Sequence, residues 1–237
     1  MDVVYTVTAS AGTAPNICSD TFTITVRVNP LPIINDKVLS ICSGETFSVV
    51  PVTASPEIVP TGTTYTWTVL SPAGITGASD EATAQTSISQ TLTNTTTAPI
   101  DVVYTVTASV GTSPNICTDT FTITVTVNPI PTVTVNSPTE CDGTSATVTA
   151  TPGVAGSYDY VWIVPSGPNP GNVASFTTTV AGVYSVIITD TVTGCISASA
   201  SGTVTINPNP TVTVNSPSVC DGVSGYSNGN TGSSRKL

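Results

Sequence analysis

DVVYTVTASAGTAPNICSDTFTITVRVNPLP occupies residues 2–32, and DVVYTVTASVGTSPNICTDTFTITVTVNPIP occupies residues 101–131. The copies stand 99 residues apart and differ at five positions: Ala11/Val110, Ala14/Ser113, Ser19/Thr118, Arg27/Thr126 and Leu31/Ile130. In the first copy Tyr5, Val7 and Ala9 fall on one face, while Phe22, Ile24, Val26 and Val28 alternate with Thr21, Thr23, Thr25 and Arg27. A strict period of two, with threonine on the wet side, predicts half-buried β-strands. The intervening SAGTAPN supplies the Gly, Pro and Asn of a hairpin turn.

Working outward, a second repeat appears: TVTVNSPTECDG at 132–143 returns as TVTVNSPSVCDG at 211–222, an offset of 79. Self-similarity at fixed spacing marks a tandem array of one structural unit. The offsets divide the chain into five parts. Residues 1–32 read as the C-terminal part of a truncated β-sandwich repeat, and 33–131 and 132–210 as complete repeats. Residues 211–224 open a further repeat, and 225–237 (GYSNGNTGSSRKL) form a non-conforming tail, read as disordered and supplying no strands. At the repeat boundaries stand Asn29-Pro30-Leu31-Pro32, Asn128-Pro129-Ile130-Pro131 and Asn207-Pro208-Asn209-Pro210. Two prolines in four residues predict a stiff, extended connection.

In the first complete repeat, strands are expected at 38–42, 46–54, 63–70, 84–92, 102–109 and 117–127, with 71–82 a loop. In the second they are expected at 133–136, 145–151, 158–164, 173–180, 183–189 and 196–206. Trp162 takes the place of Trp67, and Tyr184 the place of Tyr104. The predicted fold class is all-β: tandem β-sandwiches joined by short Pro-rich linkers, which the resemblance described below implies to be immunoglobulin-like or PKD-like.

Composition agrees. Charged residues make up only 8% and helix formers are scarce, which is strand composition punctuated by turns. The net charge is −10, and before the tail the only basic side chains are Arg27 and Lys37. Nucleic acid is therefore excluded as a partner, and an anionic membrane surface with it. There is no signal peptide and no apolar run long enough to span a bilayer, so direct membrane insertion of this segment is not expected. Met1 reads as an added start, with export and anchoring placed outside this stretch.

Six cysteines with no histidine and no CxxC argue for disulfides rather than zinc, and for an extracytoplasmic location. Each complete repeat has one early cysteine (Cys42, Cys141) and one before its last strand (Cys117, Cys195). The expected staples are Cys42–Cys117 and Cys141–Cys195. Cys18 and Cys220 then remain unpaired, with partners outside the chain. Cys18 of one chain meeting Cys220 of the next would complete a split domain head to tail, although the tail supplies few of the missing strands.

Without histidine, Ser-His-Asp and Cys-His nucleophile arrangements are impossible. No glycine-rich phosphate cradle occurs. Asp80-Glu81 and Glu140/Asp142 are the available carboxylate pairs, and neighbouring acids in a loop are ordinarily just solvated. The chain is read as no enzyme and with no cofactor. Asp20, Asp119, Asp142, Asp190 and Asp221 lie near cysteines but lack a DxDxDG-type cluster, which leaves structural calcium as a minor reading. Trp67, flanked by threonines, and Trp162 both sit mid-strand, where a core aromatic packed on the disulfide is expected in preference to a sugar platform. Tyr158 and Tyr160 bracket Asp159 at a strand edge, one of them available to a ligand. The ladder Thr120, Thr122, Thr124, Thr126 reads as the solvent face of an antiparallel sheet. Asn94-Thr95-Thr96 satisfies a glycosylation sequon.

Taken together, DVVYTVTAS…PNICTDTFTITVTVNPIP, NSPTECDG…YVWIVPSG…TTTVAGVYSVIITDTVTGC and TVTINPNP resemble the PKD-like and immunoglobulin-like repeats of giant surface proteins of Bacteroidetes. These include the gliding-motility adhesins exported through the type IX secretion route. The resemblance covers residues 2–224. It implies a sandwich of about seven strands, a secreted, cell-surface location, and a role as a stalk or adhesive filament partnered by neighbouring repeats and by surfaces or polysaccharides. It also makes Thr191, in Asp190-Thr191-Val192, a candidate O-glycosylation site. Similar modules decorate secreted polysaccharide-degrading enzymes, so a carbohydrate- or protein-binding module is the alternative, its site on loop 71–82 or 165–172.

Overall fold

The computed structural model describes residues 1–214, 218, 220 and 221, together with the strand backbones of 226–229 and 233–236. Two compact units emerge: Met1–Ile130 with Thr193–Cys195, and Pro131–Val192 with Ile196–Leu237.

The first unit begins with β1 (Asp2–Ala11) and β2 (Cys18–Arg27), which among the described residues form a two-stranded sheet of their own. It continues through β3 (Lys37–Cys42), β4 (Thr46–Val49), β5 (Thr64–Val69), β6 (Ile75–Thr76), β7 (Glu81–Gln85), β8 (Ile88–Thr91), β9 (Thr93–Asn94), β10 (Ile100–Thr112) and β11 (Asn115–Asn128). One layer is a five-stranded sheet in the order β3-β11-β10-β5-β7, with β3 parallel to β11 and the other neighbours antiparallel. The pairs β4-β8 and β6-β9 contribute the opposing side chains. Between them lies one core, in which Tyr65, Trp67, Tyr104, Val106, Phe121, Ile123 and Val125 meet Phe47, Ile75, Ile88 and Leu92. Alternation explains it: every second residue of β5, β10 and β11 is apolar, and those residues face the same side.

The two copies of the repeated hairpin fold alike and are buried differently. Cross-strand pairs run from Asp2↔Arg27 to Ala11↔Cys18 in one, and from Asp101↔Thr126 to Val110↔Cys117 in the other, each shifted by the sequence offset. In β10–β11 the apolar face is covered; in β1–β2 the same residues are open. Phe121 is 3% exposed against 51% for Phe22, and Ile123 is 0% against 46% for Ile24. Local sequence thus sets the hairpin and its register, while burial depends on the other strands of the sandwich.

The second unit contains β12 (Val133–Val135), β13 (Thr139–Cys141), β14 (Ala146–Pro152), β15 (Tyr158–Ile163), β16 (Ser175–Thr178), β17 (Gly182–Asp190) and β18 (Ala200–Asn207). A three-stranded sheet, β12-β14-β16, and a four-stranded one, β13-β18-β17-β15, enclose Ala146, Val148, Trp162, Tyr184, Val186, Ile188 and Val204. The indole of Trp162 stands edge-on to Phe176 at 5.0 Å between ring centroids, and Phe176 lies 5.7 Å from Tyr184. Trp67 sits opposite Val106, two residues after Tyr104, and Trp162 opposite Val186, two residues after Tyr184. The expected correspondence of these aromatics holds in the geometry. Seven strands in two layers around a central tryptophan are the features of an immunoglobulin-like sandwich, and the chain is an all-β tandem of such units.

Several expectations are corrected. The expected loop 71–82 holds β6 and the start of β7, the strand expected at 46–54 ends at Val49, and the one expected at 196–206 starts at Ala200. The stretch 84–92 is two strands: β7 joins β5 and β8 joins β4. The tail does supply strands, since β19 (Tyr226–Gly229) and β20 (Ser233–Lys236) pair antiparallel from Tyr226↔Lys236 to Gly229↔Ser233. Backbone pairing needs no apolar face, so a Gly/Ser/Asn composition did not preclude it. Of the expected repeat start at 211–224, residues 215–217, 219 and 222–224 lie outside the described residues.

Candidate functional site at the cysteines and loops

The disulfide is Cys42–Cys195, with 5.6 Å between the Cα atoms. This overturns the expected pairs Cys42–Cys117 and Cys141–Cys195: Cys117 and Cys141 are free thiols, as are Cys18 and Cys220. Strand register supplies the reason. Cys42 ends β3 and lies beside Asn128, at the far end of β11, whereas Cys117 is near the start of that strand. Eleven residues of strand at about 3.3 Å each put roughly 36 Å between them, and a disulfide needs Cα atoms within about 7 Å. Cys141 is placed in the same way, beside Asn207 at the end of β18, while Cys195 precedes the opposite end of β18. The sulfur of Cys195 is fully buried, and Thr193–Cys195 is grouped with the first unit.

Each early cysteine opens a tight turn. Ser43 N–H donates to the Asn128 carbonyl at 2.8 Å and Glu45 N–H to the Cys42 carbonyl at 3.0 Å; Asp142 N–H donates to Asn207 at 2.8 Å and Thr144 N–H to Cys141 at 3.0 Å. Gly44 and Gly143 turn the chain at φ of +88° and +87°, where only glycine is unstrained. The repeated CxG spacing encodes one turn twice.

The acidic residues are largely occupied by backbone donors. Asp119 Oδ2 accepts from Ile34 N–H at 3.0 Å, and Asp36 Oδ1 from Thr122 N–H at 2.6 Å. The Thr122 backbone bond, helped by its side chain, lowers the Asp36 carboxyl below its usual range. Glu57 is lowered by the Lys37 ammonium that donates to it and by Asn35 N–H. Of the adjacent pair, Asp80 accepts from Val69 N–H at 2.7 Å and Glu81 from Thr83 N–H at 2.7 Å. Among the described residues no three His, Cys, Asp or Glu side chains converge on a metal position. Glu140, Asp142 and Asp20 belong to no such group, and Asp190 Oδ1 accepts from Val192 N–H. Asp221 is exposed, and part of the turn around it lies outside the described residues.

Both tryptophans are core residues, with their N–H groups satisfied by loop carbonyls: Trp67 Nε1 donates to Ser79 at 3.1 Å and Trp162 Nε1 to Val173 at 2.8 Å. Among the described residues no disulfide crosses either core cluster, so the expected packing of these tryptophans on a disulfide is corrected. Tyr104 is fully buried and donates to Gln90 Oε1 at 2.8 Å, and burial pushes its phenol well above the usual value. Tyr158 and Tyr160 are half-buried against the second core, and the Tyr158 hydroxyl donates to Val154. In the threonine ladder Thr120 is exposed while Thr122, Thr124 and Thr126 are partly covered, and Thr126 donates to Asp101. The sequon asparagine is a structural residue that the sequence alone does not betray. Asn94 is 6% exposed, its amide donates to Ala98 and Val127 carbonyls at 2.8 Å each, and its oxygen accepts from Thr96. Asn128 likewise donates from inside the unit, to Ser40 Oγ at 2.6 Å. Thr191 donates to the Ser157 carbonyl in the exposed turn after β17.

Two surface concavities lie at the loops singled out by the sequence. One, of about 640 Å³, is walled by 166–170 together with Phe176, Thr178 and Tyr184. The other, of about 360 Å³, lies between Trp67, Asp80, Glu81 and Thr105. No helix of the described residues is long and apolar enough to cross a membrane.

Residues 39–131 match the family model described as a PKD-like domain. No curated protein matches the chain. Among solved structures it is similar to titin I-band domains I67–I69, at 14% identity and a TM-score of 0.35, covering 75% of this chain and 64% of that one. It is also similar to the N-terminal four Ig domains of Dscam1 isoform 1.9, at 12% identity and a TM-score of 0.31, covering 76% and 45%. A third is Protocadherin Gamma B2 cadherin domains 1–5, at 16% identity and a TM-score of 0.29, covering 91% and 48%. The chain thus spans less than two thirds of the length of these solved chains. Immunoglobulin-like and PKD-like domains are often structural or adhesive modules and typically extracellular, a property of the class and not of any one site.

Proposed function

We propose that this chain is a structural or adhesive repeat segment of a secreted bacterial cell-surface protein of the gliding-motility adhesin type, acting as a rigid stalk or adhesive filament. The observation that carries this reading is where the large aromatics go. Trp67, Tyr104, Trp162 and Tyr184 are all spent on sandwich cores, and their polar atoms are satisfied there. Outside the open hairpin β1–β2, what the sheets present outward is mostly threonine, serine and valine, a surface suited to length and spacing more than to recognition. Recurrent Asn-Pro-x-Pro segments at the repeat boundaries stiffen the connections, and quasi-one-dimensional modules give reach with little sequence complexity. The same reading takes the parts 1–32, 33–131, 132–210 and 211–224 as successive repeats, makes neighbouring repeats the primary partners, and makes Thr191 the site for surface glycosylation. Catalysis and bound cofactors have no part in it.

A carbohydrate- or protein-binding module is favoured by one observation, the open concavity beside 166–170. A binding panel separates the two readings. The full chain is titrated against soluble polysaccharides, glass and polystyrene, with and without calcium. The stalk reading expects no saturable binding to any glycan class. Saturable binding abolished by Ser166→Trp, which fills the concavity, replaces it with the module reading.

A further inference from the structure

The disulfide joins an early cysteine to a late one, and the free thiols fall into the same two classes. Cys141 repeats Cys42 in detail: it ends the strand parallel to the last long strand of its sheet, sits beside that strand's terminal asparagine, and opens a turn with the same two backbone hydrogen bonds and a glycine at φ near +87°. Cys220, in SVCDG, is the early cysteine of the next sequence repeat. The late class is equally regular. Cys117 lies opposite Val110, six residues after Tyr104, and Cys18 opposite Ala11, six residues after Tyr5. Cys195 precedes Ile196, which bridges Thr189; it therefore falls opposite Asp190, six residues after Tyr184. By sequence, the bonded late cysteine lies in the repeat that follows the one carrying its early partner. Its side chain is fully buried, whereas Cys18 and Cys141 are exposed and Cys117 is half-exposed.

We infer that Cys141 and Cys117 are the open halves of further bonds of this kind, so that repeats are welded early-to-late and the partner each thiol takes is the opposite class of cysteine on another repeat. In a solution of this chain that repeat is offered by a second copy. With oxidised glutathione as oxidant, the Cys141 thiolate attacks one glutathione sulfur, forming a mixed disulfide and releasing one glutathione thiolate. The Cys117 thiolate of the second copy then attacks the Cys141 sulfur, forming the protein disulfide and releasing the second glutathione. Two protein thiols give up two protons and two electrons, and oxidised glutathione leaves as two molecules of glutathione. This goes beyond the stalk reading and does not depend on it, since adhesion has no bearing on which thiols bond.

The test is to incubate the full chain with oxidised glutathione, separate covalent dimers under non-reducing conditions, and map their linked peptides by mass spectrometry. The expected result is an intact intrachain Cys42–Cys195 bond, with interchain bonds that join Cys141 or Cys220 to Cys117 or Cys18. Cys141→Ser, at an exposed position, should remove the Cys141 peptides and leave the Cys220 ones. Dimers dominated by Cys141–Cys141 or Cys117–Cys117 would overturn the inference. So would thiols that all end as glutathione adducts, or a mapped Cys42–Cys117 bond.

Discussion

Ile24 and Ile123 are the same residue in the same register of nearly identical hairpins, one 46% exposed and the other 0%. Ile123→Ala should therefore cost about 2–5 kcal/mol through lost transfer and a residual cavity. Ile24→Ala should stay within about 0.5 kcal/mol. Guanidinium unfolding followed by tryptophan emission checks both, and equal costs would contradict the burial contrast. Asn94 gives a second residue-scale expectation. Its amide bonds two carbonyls and its oxygen accepts from Thr96, so Asn94→Ala strands buried partners and should cost about 1–3 kcal/mol. The carboxyls of Glu57 and Asp36 give the acid dependence. Each is lowered in the folded chain from its ordinary value, 4.5 and 3.8, so the unfolded chain binds protons first as pH falls. Their stabilisation is fully present above about pH 5 and is lost as pH drops through the folded values. The unfolding midpoint should be flat from pH 7 to about 5 and fall below that, and Glu57→Gln should make the fall shallower. Core residues such as Tyr65 and Trp67 were legible at this scale, because threonine on either side leaves a strand aromatic one dry face. The roles of Asn94 and Asp119 were not, since their partners lie 33 and 85 residues away in sequence.

At the scale of elements, loop 71–82 shows how turn backbone limits substitution. Gly77 has φ of +92°, and a Cβ there would run into the Thr91 carbonyl; Gly44 has φ of +88° with open space around it. Gly44→Ala should cost about 1 kcal/mol, the penalty of left-handed backbone alone. Gly77→Ala adds the collision with β8, and its thermal midpoint should fall clearly further; the reverse order would refute the turn geometry. Alternation located most strands to within a residue or two. It failed at 84–92 for a definite reason: β7 and β8 carry the same period of two on either side of Thr86-Ser87, and periodicity does not report that the chain changes layer there. The short β13 was missed because Thr-Glu-Cys shows no alternation of apolar with polar residues, although its parallel place beside β18 is what positions Cys141.

For the whole molecule, the repeat offsets made the tandem sandwich legible, whereas the disulfide was beyond reach of spacing. Sequence order placed Cys42 and Cys117 in one repeat; parallel pairing of β3 with the end of β11 placed them at opposite ends of a strand. Parallel neighbours are joined by long connections, so no local pattern announces which end of the sheet a cysteine occupies. The bond that does form closes 153 residues, and chain-entropy arguments give about 4.7 kcal/mol for a loop of 100 and grow only logarithmically beyond. Less than that should be measurable here. The entropy of the closed loop is recovered in full only when everything between Cys42 and Cys195 is unfolded, and two separate cores need not unfold together. Neither sulfur belongs to the clusters around Trp67 and Trp162. Reduction should therefore leave both cores folded, with near-ultraviolet dichroism unchanged, while guanidinium resistance drops by about 2–4 kcal/mol. Cys42→Ser combined with Cys195→Ser should reproduce the drop without reductant and become insensitive to it, because the double change removes the bond without leaving a buried thiol. Loss of the aromatic dichroism on reduction would mean instead that the bond holds a core together, and the separation of staple from core drawn here would fail.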